Sequence, residues 1–134
     1  MPFIANVGNI VYEENHYVIN GKTQCVALVQ QTTTAPRTTE WKAGKKVKDA
    51  KPGDILRGTA IATFTAESKY PTSDSQGRHA ALYLSHDDKG IKVIDQWVGK
   101  PTPAERTIRY KGEAASGWQN NGDYYYVIEL DAAP

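Results

Sequence analysis

Apolar positions along this chain change period about a quarter of the way in, separating a helix-like opening from a strand-rich remainder. In residues 3–19, Phe3, Val7, Ile10, Val11 and Glu14 recur at partly helical spacing and predict an N-terminal helix, with Tyr17, Val18 and Ile19 extending into a short strand. Asn20-Gly21 marks a turn. Thr23 or Asn20 then caps a second helix with Cys25, Leu28 and Val29 on one side, which puts the cysteine in its first turn or two.

Between residues 35 and 54 the pattern weakens. Pro36 and Pro52 limit regular structure, Trp41 is the natural anchor, and Lys51-Pro52-Gly53-Asp54 predicts a turn before a strand. Ile55, Leu56, Ala60, Ile61 and Phe64 predict one or two strands, and residues 65–78 form a polar, turn-rich candidate cleft loop. The clearest signal is a hairpin: HAALYLS, the tip HDDKG, and IKVIDQW, with period two in both arms. Residues 106–110 and 124–130 supply further strands, separated by a polar loop around KGEAASGWQNNGD. The expected class is α+β, N-terminal helices packed on an antiparallel β-sheet, in a single domain over residues 1–134.

Composition narrows the functional classes. A length of 134 residues with 40% hydrophobic content supports one real core. Sixteen basic against fifteen acidic residues give a net charge of +1, so electrostatics offer no case for nucleic-acid binding or membrane attraction. No apolar run approaches the roughly 18 residues of a membrane span, which argues against stable membrane insertion, and the opening residues lack the basic and apolar parts of a signal peptide. One cysteine forms no internal disulfide, and three dispersed histidines give no zinc spacing, so no metal site is expected.

The candidate chemistry is acyl transfer. On the hairpin, His79, Ala81, Tyr83 and Ser85 share one face of the first arm, and Ile91, Val93, Asp95 and Trp97 one face of the second. If opposed residue numbers sum to 174, His79 faces Asp95 at roughly 5 Å between Cβ atoms, close enough for the carboxylate to orient the imidazole. An odd sum would separate them. Cys25 at a helix start feels unpaired N–H groups and the positive helix end, which favour thiolate. His79 would then move the thiol proton to a leaving amine, Asp95 would steady the imidazolium, and the Cys25 backbone N–H would hold the oxyanion with one further donor. Gln24, Tyr12 and Tyr17 are candidates for that second donor.

GKTQCVALVQ, HAALYL and IKVIDQW, in this order, resemble the BPSL0067-type family of bacterial papain-like amidases, related to the NlpC/P60 superfamily and linked to type VI secretion effectors. The resemblance spans most of residues 8–110. It implies Cys25 as nucleophile, His79 as strand-borne base and Asp95 in the third position, with the cysteine helix packed against the sheet that carries the other two. It further implies a peptidoglycan hydrolase without cofactor, an antibacterial toxin cutting peptide bonds in cell-wall stems or cross-links. Its partners would be peptidoglycan, a cognate immunity protein and type VI secretion machinery. Such a protein is made in the bacterial cytoplasm without a signal peptide and acts in the target-cell periplasm. Arg37, Lys42, Lys45, Lys46, Arg78 and Lys100 are candidate contacts for peptidoglycan carboxylates, provided they converge.

Plainer readings compete residue by residue. Cys25 alone is as well a buried small hydrophobe, His79 a structural polar group and Asp95 a strand or turn cap, with Gln96 a rival for the third role. Trp97 fits packing that shields a polar site, with ligand stacking the lesser option. His16 precedes a turn, and His86 sits in a charged tip where exposure is the simple account. The lysines of WKAGKKVKD form a solvated face, and Gly112, Gly117 and Gly122 lack a phosphate-binding context. Tyr124, Tyr125 and Tyr126 alternate across a strand, so some of them pack and one is free to meet carbohydrate. Two other functions stay open: a noncatalytic cell-wall binding or interaction module, and a thiol hydrolase or acyltransferase on another amide.

Overall fold

The computed structural model describes residues 2–112 and 117–130. Six strands form one antiparallel sheet: β1 (Lys42–Lys46), β2 (Ala60–Thr63), β3 (Ala80–His86), β4 (Gly90–Trp97), β5 (Lys100–Arg109) and β6 (Tyr125–Glu129), in the order β1-β6-β2-β3-β4-β5. A single α-helix among the described residues, α1 (Cys25–Thr32), packs over β3 and β4. The α+β class holds, whereas the expected N-terminal helix does not form: residues 3–19 contain only a 3-10 turn at Val7–Asn9 and bridges at Ile4 and Ile19. Here chain-to-sheet contacts overrode a weak helical period, with Ala5 N–H donating to Gly58 O at 2.9 Å and Ala60 N–H to Phe3 O at 2.8 Å.

The eight residues of α1 span about 12 Å, too short to be stable alone. Burial supports them, because Ala27, Leu28 and Val29 are fully enclosed, each large side chain contributing roughly 2 kcal/mol. The helix stops in the β-branched run of threonines, where Thr32 and Thr33 hydroxyls donate back to the carbonyls of Leu28 and Val29. At its start the expected cap differs. Gln24 occupies the N-cap without a side-chain bond, while Asn20 (φ 52°) and Gly21 (φ 74°) form a tight turn closed by Ile19 and Lys22.

Alternating side chains divide the core into two layers. Ala80, Leu82, Leu84 and Ile94 join α1, Trp41 and Phe64 on one face, and Ala81, Tyr83, Ile91 and Val93 join Val47, Ile61 and Tyr125 on the other. From Ala80 to Leu84, β3 is therefore buried on both faces and lacks the expected polar alternation. Three other strand expectations are corrected. Ile55 and Leu56 lie in irregular chain before β2, with Leu56 largely exposed. Strand β1, with its three lysines, is an edge strand whose charges obscure its period and discourage further pairing. Strand β5 begins six residues earlier than the expected start at Arg106, because Pro101 and Pro103 fall on an edge where its register against β4 shifts.

The β3–β4 register fixes the site. At the tip, His86 opposes Ile91 and Asp87 N–H donates to Gly90 O at 3.0 Å. A bulge at Leu84 then shifts the pairing, so that Tyr83 opposes Val93 and Leu82 opposes Ile94. The pairing sum is 176 rather than 174, which makes His79 a diagonal and not a direct neighbour of Asp95. The bulge also moves Ser85 off the face of Ala81 and Tyr83, since Ser85 opposes Lys92. Part of the predicted 111–123 loop, residues 113–116, lies outside the described residues.

Candidate active site

His79 immediately precedes β3, Asp95 stands near the end of β4, and Cys25 opens α1; antiparallel pairing and helix docking bring these three points to one end of the sheet. Thr63 sets the histidine backbone, accepting from His79 N–H at 3.1 Å while donating its hydroxyl to Gly77 O at 3.1 Å. Gly77 has φ +88°, and a Cβ there would run into the Trp118 backbone, so glycine is required for the chain to turn into His79.

The histidine ring is buried, and its Nε2 lies 2.8 Å from Asp95 Oδ2. That leaves Nδ1 for Cys25, whose sulfur lies close enough to the ring for each group to shift the other's titration. The Tyr70 hydroxyl stands 3.7 Å from the sulfur, and the Ala80 backbone N–H adds a further favourable influence on its thiolate. Burial pushes the thiol up, but bonding to His79, its charge, Ala80 N–H and Tyr70 outweigh burial and hold Cys25 below an ordinary thiol. Burial likewise opposes the imidazolium, yet Asp95 and the Cys25 sulfur raise His79 to about 9. The pair is thus suited to exist as thiolate and imidazolium.

Asp95 is fully buried and heavily compensated. Arg106 Nε reaches its Oδ2 at 2.7 Å and Lys100 Nζ its Oδ1 at 3.2 Å. Burial raises its carboxyl, and His79 followed by Arg106 more than reverse that, so it stays ionised below the usual carboxylate range. Both cations also lie over the Trp97 ring, at 4.7 Å for Lys100 and 5.1 Å for Arg106. Trp97 packs edge-on to His79 at 6.0 Å and roofs the charge network while remaining 38% exposed.

Cys25 is half-buried and lines a cleft of about 620 Å³ together with Gln24, Tyr70, Arg78, His79 and Trp97. The 65–78 segment contributes Tyr70, Asp74 and Arg78 to its wall. Tyr12 and Tyr17 do not line it: Tyr12 is half exposed, and Tyr17 is buried with its hydroxyl accepting Val11 N–H at 2.8 Å. Their candidacy as oxyanion donors is corrected accordingly, because the irregular 3–19 segment carries them to other surfaces. Of the candidate cations only Arg78 reaches the cleft lining, paired there with Asp74 at 2.7 Å, and Lys22 and Arg106 join it. Arg37 pairs with Glu40, Lys45 with Asp54, and Lys100 lies beneath Asp95. His16 packs on Tyr17, and His86 is not a free tip residue, for Tyr83 hydroxyl and Ala50 carbonyl lie 2.6 and 2.7 Å from its ring nitrogens. Tyr125 is fully buried, Tyr126 packs against Phe64, and Tyr124 stacks on Trp118.

Sequence reasoning missed Tyr70, Thr63 and Arg106. Tyr70 and Thr63 had no signal, whereas Arg106 was reachable through register: it opposes Val93, diagonal to Asp95 on one sheet face. Among the described residues no group of three or more His, Cys, Asp or Glu side chains is gathered as a metal site would need, and no helix is long and apolar enough to cross a membrane.

With this geometry in place, comparison with known proteins is specific. The family model described as Domesticated amidase effector 2 matches residues 5–128. A Salmonella typhi protein named Type VI secretion amidase effector 2 is 35% identical, over 96% of this chain and 100% of its own length. An Ixodes scapularis protein named Domesticated amidase effector 2 is 40% identical over 81% of this chain and 72% of its own. A solved structure of Type 6 secretion amidase effector 2 superposes with a TM-score of 0.75 at 32% identity, covering 90% of this chain and 89% of that one.

Proposed function

The chain belongs to the domesticated amidase effector 2 family, and from that membership we propose that it is a cysteine amidase that hydrolyses a peptide bond in peptidoglycan stems or cross-links. The observation that carries the reading is the half-buried Cys25, which lines a cleft together with a histidine whose Nε2 is held at 2.8 Å by a buried carboxylate. In this scheme Cys25 thiolate adds to the scissile carbonyl, and the oxyanion settles between the Cys25 N–H and the Tyr70 hydroxyl. Tyr70 is pushed well above its ordinary value by burial and by the facing sulfur, which keeps it a protonated donor. His79 passes its proton to the leaving amine, giving a thioacyl enzyme, then takes a proton from water as that water attacks. The thiolate departs, and the acyl group leaves as a carboxylic acid.

Lys22 in the wall offers a contact to a carboxylate-bearing peptide, whereas Arg78 Nε is already held by Asp74 at 2.7 Å. We assign the chain, as one domain, to the papain-like NlpC/P60 superfamily, on the order of nucleophile helix, histidine strand and carboxylate strand. By analogy with its type VI relatives, it would be delivered by secretion machinery into a target periplasm and opposed in the producing cell by an immunity protein.

The direct test is mass spectrometry of soluble fragments released from purified Gram-negative peptidoglycan by the intact protein and by Cys25→Ala. Fragments with new amine and carboxyl ends from the intact protein alone are expected. No release by a folded, reduced intact protein would overturn the substrate assignment, and equal release by both would overturn the nucleophile.

A further inference from the structure

Gln96 is fully buried, directly follows Asp95 on β4 and faces the helix side of the sheet. Its amide nitrogen donates to two carbonyls, Tyr17 O at 3.0 Å and Gln24 O at 2.9 Å. Those carbonyls flank the tight turn at Asn20-Gly21, so one amide group ties both ends of the segment that leads into α1. Among the described residues its Oε1 is buried without a hydrogen-bond partner. Rotating the amide would set that oxygen against both carbonyls, so the two acceptors dictate the orientation and leave the oxygen stranded. A buried polar group arranged in this way calls for a reason beyond packing.

The reason lies in the peptide unit between Gln24 and Cys25. Its C=O and N–H are coplanar and point in opposite directions. Gln24 O takes the Gln96 bond in addition to the helical bond from Ala27 N–H at 3.0 Å. Holding that oxygen aims the Cys25 N–H, and a carbonyl that accepts a further bond polarises its own peptide and strengthens the N–H as a donor. Thr23 makes a longer contact to the same strand end, its hydroxyl 3.5 Å from Trp97 O.

We propose that Gln96 is a positioning residue for the oxyanion donor, fixing and polarising the Gln24–Cys25 peptide so that the Cys25 N–H meets the charge developing on the substrate oxygen. The inference rests on the reading above that Cys25 is the nucleophile. Adjacent β4 residues then serve the two halves of the catalytic pair, Asp95 holding His79 on one face and Gln96 holding the approach to Cys25 on the other.

The test uses the full chain, Gln96→Met and Gln96→Glu, assayed on a soluble cross-linked peptidoglycan fragment and separately by iodoacetamide alkylation of Cys25 across pH. Alkylation needs the thiolate but no oxyanion donor. In Gln96→Met, kcat should fall about 10- to 100-fold with KM within about threefold, while the rate and pH profile of alkylation stay within about twofold. A parallel loss of alkylation would reveal mere displacement of the sulfur, and an unchanged kcat would remove the role; either overturns the proposal. Gln96→Glu keeps the shape but donates only when protonated, so its kcat relative to the intact protein should rise as pH falls. Should Gln96→Met not fold, that ratio decides, and a flat ratio overturns the proposal. An intact protein without cysteine-dependent cleavage would overturn this inference along with the amidase reading, whereas an active protein with unimpaired Gln96 variants overturns this inference alone.

Discussion

Replacing Asp95 by asparagine removes one negative charge from the proposed triad while nearly preserving its shape. Oδ2 is where His79 Nε2 and Arg106 Nε converge, at 2.8 and 2.7 Å, and Oδ1 faces Lys100 Nζ at 3.2 Å. An asparagine oxygen is best placed at the double-donor position, with its NH2 turned toward Lys100, a partly exposed side chain that can swing away. Nε2–H then still has an acceptor, so the tautomer with Nδ1 toward the sulfur survives. The loss is therefore electrostatic. The rise of His79 from 6.5 to about 9 corresponds to roughly 3 kcal/mol in favour of the charged ring, shared mainly between Asp95 and Cys25.

Because burial opposes the charged ring, the two partners together supply more than this net figure, and a carboxylate contributing about half of it or more makes Asp95→Asn give up at least roughly 1–2 kcal/mol of imidazolium stabilisation. The alkaline limb of kcat/KM should then move about one pH unit toward neutrality, and the value near neutral pH should fall about 10- to 100-fold. Profiles of kcat/KM and of iodoacetamide alkylation, taken from about pH 5 to pH 10, measure both effects. An alkaline limb that stays near 9 in the variant would refute the electrostatic account. So would a loss as complete as that of Cys25→Ala, which would mean that the ring had lost its orientation or its tautomer.

Three further outcomes are expected. In Cys25→Ala, Asp95 still raises His79 above its unfolded value, so the stabilisation is full below about pH 6.5 and is lost as pH rises through the folded value; thermal midpoints should decline over that alkaline interval, and a flat or rising trend would contradict the pairing. Tyr70→Phe keeps the ring against Trp41 at 5.0 Å but deletes the hydroxyl beside the sulfur, so kcat should drop up to about 100-fold with KM and thermal midpoint nearly unchanged. Leu28→Ala, at a fully buried position on the inner face of α1, should cost about 2–5 kcal/mol in urea unfolding.

The hairpin residues were legible because a strong apolar run bounded by a polar tip leaves little choice of element, and Cys25 was placed at a helix start by the turn before it. The N-terminal segment was not legible. Its apolar residues satisfy a helical period loosely, yet Phe3 and Ala5 instead bond to chain around β2, a preference visible only once the sheet exists. Strand β1 was hidden by its lysines, and the start of β5 by its prolines, both permissible only because these are edges. Tyr70 comes from a polar loop with no period, where sequence alone cannot say which side chain turns inward.

The bulge at Leu84 connects these levels, because it decides the parity of the hairpin. The tip pairs His86 with Ile91, an odd sum of 177, and carried on unchanged that register would place Leu82 opposite Asp95 and His79 on the face of Gln96. One extra residue on β3 converts the pairing to 176 and exchanges the two neighbours. The charged one now meets the imidazole, on the face where Arg106 and Lys100 can compensate it. The neutral amide is sent to the helix face, where an uncompensated carboxylate would have been buried beside two carbonyl oxygens. A single inserted residue, several positions from any reacting atom, thus sorts Asp95 and Gln96 to the sides on which each can be buried, and so determines whether Cys25 faces a charged histidine at all.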